Sequence, residues 1–145
     1  LLNGYQLVIA ESCTGGMICS AITQISGCSQ WFTQGFITYS NQSKIDLLGV
    51  SEDSLARYGA VSQQVANEMA CGAVRRSQGS LSLSITGIAG PSGGTKTKPV
   101  GTVFFSVCDK KKLLLEHKAH FEGTRKEIRE KGLLFALNTL LKLTL

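Results

Sequence analysis

The spacing of hydrophobic residues changes several times along the chain, and each change predicts a different element. Short apolar runs typical of buried strands occur at 6–10, 31–39, 81–86 and 100–108, with a further strand at 113–121. Apolar residues recur three and four positions apart at 17–25, 63–77 and 125–143, which is typical of amphipathic helices. Polar caps and closing glycines favour two shorter helices at 41–48 and 51–59, in which Asn41 and Ser51 are the capping residues.

Strands and helices alternate in the first half of the chain, and a hairpin with a turn at 109–112 precedes the last helix. This order predicts an α/β protein, a three-layer α/β/α sandwich with a mixed sheet. A length of 145 residues without repeats predicts one domain over 1–145. Residues 1–4 are typical of the end of a helix followed by a turn.

The composition and charge of the chain argue against some classes of binding partner. Hydrophobic residues make up 43% and charged residues 17% of the chain, which is enough for a packed core. No uncharged apolar run reaches the roughly 18 residues that span a bilayer, so we expect no membrane partner. The net charge is +5, with most basic residues in the second half. Lys110–Lys112 lie in the predicted turn without interleaved aromatic residues, which argues against a nucleic-acid surface.

The cysteines indicate a reducing compartment. The five cysteines form no CxxC pair, and no Cys/His group has the spacing of a zinc site. We therefore expect buried thiols, no metal and a cytoplasmic protein.

Three polar loops follow predicted strands, at 11–16, 40–44 and 87–98. Ligands of open α/β sheets bind at the carboxyl ends of strands. The first loop, ESCTGG, precedes a helix, whose free N–H groups favour an anion or an oxyanion. Ser12, Cys13 and Thr14 are candidate nucleophiles there, and an ordinary turn capped by Ser12 or Thr14 is the alternative.

Lys44 is the only basic residue among the first 56. A surface lysine is the plain interpretation, but a buried lysine has a lowered pKa and can act as a general base toward serine. Tyr39, nearby in sequence, could donate or relay a proton.

His117 and His120 are an odd number of residues apart on a predicted strand, so they face opposite ways and a structural role is expected. A Ser-Lys pair is therefore favoured over a Ser-His-Asp triad.

The remaining candidates would bind an anion. The glycine-rich segment 86–94 could wrap a phosphate or ribose, unless it is only a flexible connection. Lys96 and Lys98 would add positive charge there. Arg125 and Arg129 share a helix face and could hold a phosphate or carboxylate, with ion pairs to acidic neighbours at 122 and 130 as the alternative.

At these loops the sequence resembles the CinA C-terminal domain family, the PncC-type nicotinamide-nucleotide amidases. The resemblance covers about residues 6–140 through six ordered segments: LVIAESCTGG, GFITYSNQSKIDLLGV, GAVSQQVANEMACGA, SITGIAGPSGG, KPVGTVFFSV and FEGTRKEIR. It implies an α/β/α fold and metal-independent hydrolysis of nicotinamide mononucleotide to nicotinate mononucleotide and ammonia. It also implies a bacterial cytoplasmic homo-oligomer, with a dimer favoured, and no cofactor.

The resemblance also implies residue roles. Ser12 would be the nucleophile and Lys44 its base, with Tyr39 beside it. Contacts to the oxyanion or the nucleotide are implied for seven further residues: Thr14, Gly15, Gly16, Thr86, Gly87, Gly90 and Arg125. The first three would act through backbone groups, and Arg125 would be either a ligand or structural. A non-catalytic nucleotide-binding module and a nucleic-acid-associated protein remain the alternatives.

Overall fold

The computed structural model describes residues 4–145, so the expected helix end at 1–4 falls largely outside the described residues. Its strands are β1 (Leu7–Glu11), β2 (Phe32–Ile37), β3 (Leu81–Gly87), β4 (Thr102–Asp109) and β5 (Leu113–His120). Its helices are α1 (Met17–Thr23), α2 (Asn41–Leu48), α3 (Glu52–Tyr58), α4 (Gln63–Arg75) and α5 (Arg125–Thr144). Each predicted element is present, with ends that agree with the prediction to within two residues.

The five strands form one mixed sheet in the order β2-β1-β3-β4-β5. β1 pairs in parallel with both β2 and β3, whereas β3, β4 and β5 are antiparallel. The chain therefore leaves β1 toward one side of the sheet and returns to the other side at β3. Such a switch in strand order opens a crevice at the carboxyl ends of the parallel strands.

Two apolar clusters confirm the three layers. On one face, α1 and α5 pack through residues such as Ile18, Ile128 and Leu140 against the sheet. On the other face, α2 and α4 bury residues such as Leu48 and Met69 against β1. The sheet is thus buried on both sides.

β3 alternates leucine and serine, yet both of its faces are buried. The hydroxyl groups of Ser82 and Ser84 donate to the carbonyl oxygens of Ala70 and Ala66 in α4, each at 2.6 Å. These bonds satisfy the buried hydroxyls and hold the strand close to the helix.

The capping residues explain where the helices begin. Ser51, Ser62 and Thr124 cap α3, α4 and α5 through their side chains. The prediction that Asn41 caps α2 was wrong. Ser40 is the N-cap residue, and its side-chain hydroxyl accepts from the Ser43 amide at 3.0 Å.

The basic turn between β4 and β5 lies at the end of β4 remote from the crevice. The Asp109 carboxylate accepts from the amides of Lys111 and Lys112, each at 2.7 Å, and all three lysines are exposed. The predicted turn is thus confirmed. Across residues 4–145, no helix is both long and apolar enough to span a membrane.

Candidate active site

A cavity of about 270 Å³ opens where β1, β2 and β3 end. Its walls come from the segments after these strands, from the residues before α4 and from the start of α5. The lining residues are Ser12, Cys13, Tyr39, Lys44, Ala60, Val61, Thr86, Gly87, Ile88, Ala89, Gly90, Ser92, Gly93 and Arg125. The cavity therefore joins the three loops that the sequence singled out.

Lys44 reaches Ser12 inside this cavity. Ser40 starts α2 so that Lys44 lies on its first turn, with its side chain directed inward and only 1% exposed. The Lys44 Nζ atom lies 2.9 Å from the Ser12 Oγ atom. It also lies 2.7 Å from the Thr38 carbonyl oxygen and 3.2 Å from the Tyr39 carbonyl oxygen. The alternative of an exposed surface lysine is excluded.

Burial lowers the pKa of Lys44 to about 8, because the charged ammonium loses hydration that no carboxylate replaces. Neither ion pair found within residues 4–145 involves Lys44. A neutral lysine has two N–H groups and one lone pair. The two carbonyl oxygens can take both N–H groups, which leaves the lone pair facing the Ser12 hydroxyl.

The neighbours of Ser12 are poorer nucleophiles. Burial raises the pKa of the Cys13 thiol to about 11, so it stays protonated at neutral pH. The Thr14 hydroxyl is buried and donates to the Glu11 Oε2 atom at 2.6 Å, away from Lys44. Among these three residues, Ser12 alone hydrogen-bonds to Lys44.

Glu11 organises this loop, a role that the sequence patterns did not reveal. Its carboxylate is fully buried and accepts from the amides of Gly16, Ile18 and Cys19 at 2.9–3.2 Å. It thereby caps α1 from the end of β1, in place of Ser12 or Thr14. Gly16 begins the helix with φ 102°, a conformation that favours glycine.

This capping occupies backbone amides for which the resemblance implied ligand contacts. The Gly15 amide donates to the Ser12 carbonyl oxygen at 3.0 Å, and the Gly16 amide donates to Glu11. Thr14, Gly15 and Gly16 are absent from the cavity wall, and because both glycine amides already have acceptors, the structure does not support ligand contacts by those two amides. The Thr14 amide has no hydrogen-bond partner within the described part of the chain.

The glycine-rich segment does line the cavity. Thr86 and Gly87 end β3, and the Thr86 hydroxyl donates to the Ala60 carbonyl oxygen at 2.9 Å. Gly90 has φ 80°, and a Cβ atom there would lie 2.5 Å from the Val100 side chain. The backbone of this segment is therefore packed against Val100, just before β4, and is not a loose connection.

Arg125 and Tyr39 form the rim. Arg125 donates to the Gly90 carbonyl oxygen at 2.8 Å and to the Tyr39 hydroxyl at 3.1 Å. Tyr39 is 61% exposed, and it meets Lys44 through its carbonyl group. Its hydroxyl is therefore placed against Arg125, not against the amine.

Four other candidates lie away from the cavity wall. Arg129 donates to the carbonyl oxygens of Cys13 and Thr14, at 3.1 and 3.2 Å, so it is not paired with acidic neighbours. Lys98 donates to the Tyr58 carbonyl oxygen at 2.6 Å. The His117 ring stacks on Phe135, with ring centroids 4.5 Å apart, and His120 lies 3.0 Å from the Val100 carbonyl oxygen.

Comparison with known proteins identifies the family of the chain. The sequence model of the family described as "CinA C-terminal domain" matches residues 2–144 of the chain. The chain belongs to the CinA C-terminal domain family. The resemblance that the six sequence segments indicated is thereby confirmed.

Proteins of this family that are named for an enzymatic activity are similar to the chain over nearly its whole length. "Nicotinamide-nucleotide amidohydrolase PncC" of Enterobacter agglomerans is 49% identical over 97% of this chain and 85% of its own length. The protein of the same name from Escherichia coli strain K12 is 44% identical over 95% and 84%. The crystal structure of the competence/damage inducible protein CihA from Agrobacterium tumefaciens superposes with a TM-score of 0.94 at 42% identity, covering 98% of this chain and 87% of that one.

Proposed function

We propose that this chain hydrolyses the carboxamide of nicotinamide mononucleotide, giving nicotinate mononucleotide and ammonia. The buried Lys44 amine beside the Ser12 hydroxyl, in a cavity at the strand switch, is the observation that carries the proposal. The names of the two amidohydrolase relatives support the same substrate class. In our proposal Ser12 is the nucleophile and Lys44 the general base.

The first half of the reaction acylates Ser12. Neutral Lys44 accepts the hydroxyl proton as the Ser12 oxygen attacks the carboxamide carbon. The carbonyl oxygen becomes an oxyanion, which a backbone N–H group at the start of α1 stabilises; such a donor contributes roughly 3 kcal/mol. The carbon–nitrogen bond then breaks as the Lys44 ammonium gives its proton to the amide nitrogen, which leaves as ammonia.

The second half regenerates the enzyme. Water attacks the nicotinoyl ester while Lys44, neutral again, accepts a proton from that water. The ester bond breaks as the Lys44 ammonium returns its proton to the Ser12 oxygen, and the nicotinate acid leaves and loses its own proton to solvent. The carbonyl oxygens of Thr38 and Tyr39 keep the amine aimed at Ser12 through both halves.

The substrate's phosphate would lie at the rim. A guanidinium has five N–H donors, and Arg125 uses two of its nitrogen atoms on Gly90 and Tyr39. Its remaining donors and the backbone of the segment at 87–93 can bind a phosphate. The pyridinium ring is itself cationic and needs no cation beside it.

Ammonia release from nicotinamide mononucleotide by wild type and Ser12→Ala tests the proposal. We expect Ser12→Ala to lose turnover by at least about a thousandfold while it keeps its fold. Ser20→Ala is the matched control, because Ser20 is exposed on α1 in the segment that follows the same loop. Near-normal turnover by Ser12→Ala would refute the assignment of the nucleophile.

The same assay separates the alternatives. A wild-type chain that binds the nucleotide without releasing ammonia would be a binding module. Salt-dependent binding of DNA at physiological salt would instead favour a nucleic-acid partner. A cytoplasmic location and a homo-oligomer, with a dimer favoured, stay predictions.

A further inference from the structure

The peptide unit between Cys13 and Thr14 occupies the centre of a turn behind the nucleophile. The Gly15 amide donates to the Ser12 carbonyl oxygen, which closes a four-residue turn at 12–15. In such a turn the central peptide unit takes no part in the closing hydrogen bond. Its orientation is therefore the feature by which type I and type II turns differ.

Arg129 holds that central unit from outside the cavity. Its Nε atom donates to the Cys13 carbonyl oxygen at 3.1 Å, and its Nη2 atom donates to the Thr14 carbonyl oxygen at 3.2 Å. The Thr14 carbonyl oxygen is also bonded by the Met17 amide at 3.1 Å. Of the two carbonyl groups, that of Cys13 thus depends more on Arg129.

The planarity of the peptide bond carries this restraint across to the Thr14 amide. In a trans peptide unit the C=O and N–H groups point in opposite directions. With the Cys13 carbonyl directed at Arg129, the Thr14 N–H is directed away from it, and no partner within residues 4–145 accepts from this amide. Ser12 and Cys13, which precede it, both line the cavity.

We infer that Arg129 is a positioning residue, which directs and polarises the Thr14 amide as a hydrogen-bond donor to the oxyanion formed at Ser12. The positive guanidinium on the carbonyl oxygen strengthens the N–H donor of the same peptide unit. Arg129 itself does not line the cavity. The inference rests on the proposed function, which it deepens.

Arg129→Ala and Arg129→Lys test this role, with Arg57→Ala as the matched control. Arg57 is an exposed arginine that bonds the Asp53 carboxylate on α3. For Arg129→Ala we expect kcat for ammonia release to fall about 10- to 100-fold, with KM changed by less than about threefold. The pH dependence that Lys44 imposes should stay in place. Arg129→Lys and added guanidinium ion should each restore part of kcat, because both return a cation to the carbonyl.

A second measurement does not depend on the substrate. A fluorophosphonate phosphonylates an activated serine: the Ser12 oxygen bonds to phosphorus, fluoride leaves and the hydroxyl proton passes to the base. Its phosphoryl oxygen occupies the place of the oxyanion. We expect Arg129→Ala to label about 10- to 100-fold more slowly than wild type and Arg57→Ala.

The outcomes separate the two proposals. Slower labelling of Arg129→Ala by a chain that releases no ammonia would uphold the inference and refute the proposed substrate. Equal labelling rates in wild type and folded Arg129→Ala would overturn the inference even in an active amidase. A raised KM at constant kcat, or a shifted pH profile, would overturn it too, and failure of the wild type to label would overturn both. If Arg129→Ala does not fold, Arg129→Gln, which removes the positive charge but keeps a side chain that can hydrogen-bond, is judged by the same criteria.

Discussion

The Ser12 hydroxyl and the Lys44 amine lie 2.9 Å apart although 32 residues separate them in the sequence. Parallel pairing of β1 with β2, in which Glu11 lies beside Ile37, brings the ends of both strands to the same edge of the sheet. Each residue follows its own strand end, and α2 turns the lysine back toward the serine. The pair is therefore a product of the strand order and of the short connection into α2.

Two replacements of Lys44 should show whether the reaction needs its basicity or only its positive charge. We expect Lys44→Met to lower kcat for ammonia release by about a thousandfold or more, because Ser12 then has no proton acceptor. Lys44→Arg should not restore kcat, since a guanidinium stays protonated and cannot accept the proton. Activity of Lys44→Arg within tenfold of wild type would contradict a role for Lys44 as the base.

The pH dependence of turnover should report the same amine. Since burial lowers the pKa of Lys44 to about 8, it is protonated below that pH and cannot act as a base. We expect kcat/KM to rise with pH through about pH 8 and then level off. The residual activity of Lys44→Met should lack this rise. A profile that falls as pH increases from 6 to 8 (roughly the neutral range) would contradict the assignment.

Stability should follow the same titration. The pKa of Lys44 is 10.5 when unperturbed and about 8 in the folded chain, so between these values the unfolded state binds more protons. The free energy of unfolding of wild type, relative to Lys44→Met, should therefore increase with pH across this window, by on the order of 3 kcal/mol. Urea unfolding of both proteins at the two ends of the window measures the change.

Much of this arrangement could be predicted from the sequence. The apolar periods at 81–86 and 63–77 correctly indicated β3 and α4, because strand and helix periodicity are local properties. Lys44 stood out as a lone cation near a strand end, and it is the residue found against Ser12. The six motif segments also indicated the family correctly.

Contacts across the fold were not predictable in this way. Glu11 looked like one more polar residue in a turn, since nothing local shows that its carboxylate caps α1. Arg129 lies 116 residues from Cys13 and shares a helix face with Arg125, so the pattern suggested one anion site for both. Only the packing of α5 beside α1 reveals that the two arginines point to different places.

Cys13 provides a test of the nucleophile's identity. Because burial raises the pKa of its thiol to about 11, we expect it to be unreactive at neutral pH and dispensable for the reaction. Cys13→Ala should keep kcat within about threefold of wild type and lose about 1 kcal/mol of stability from the smaller side chain. The measurements are ammonia release and urea unfolding. If a folded Cys13→Ala variant lost turnover while Ser12→Ala kept it, the nucleophile would be the Cys13 thiol and not the Ser12 hydroxyl.

A substitution at the contact between Gly72 and Leu48 should lower both the stability of the fold and the activity of the site. Gly72 lies in α4, and a Cβ atom there would approach the Leu48 carbonyl oxygen to 1.9 Å. Leu48 ends α2, the helix that carries Lys44, and a backbone atom cannot move aside by a change of rotamer. We therefore expect Gly72→Ala to lose about 3 kcal/mol of stability, despite the gain of about 1 kcal/mol in helix propensity.

Gly132→Ala is the matched control for this prediction. Gly132 also lies inside a helix, α5, but its added Cβ atom would meet side-chain ends rather than backbone: the Ile85 Cδ1 atom at 3.0 Å and the Thr14 Cγ2 atom at 3.8 Å. Its stability should stay within about 1 kcal/mol of wild type. Because Gly72→Ala pushes α2 away from α4, it should also lower kcat by displacing Lys44 from Ser12. Urea unfolding with ammonia release measures both effects, and a Gly72→Ala variant as stable and active as wild type would contradict the close packing of α2 on α4.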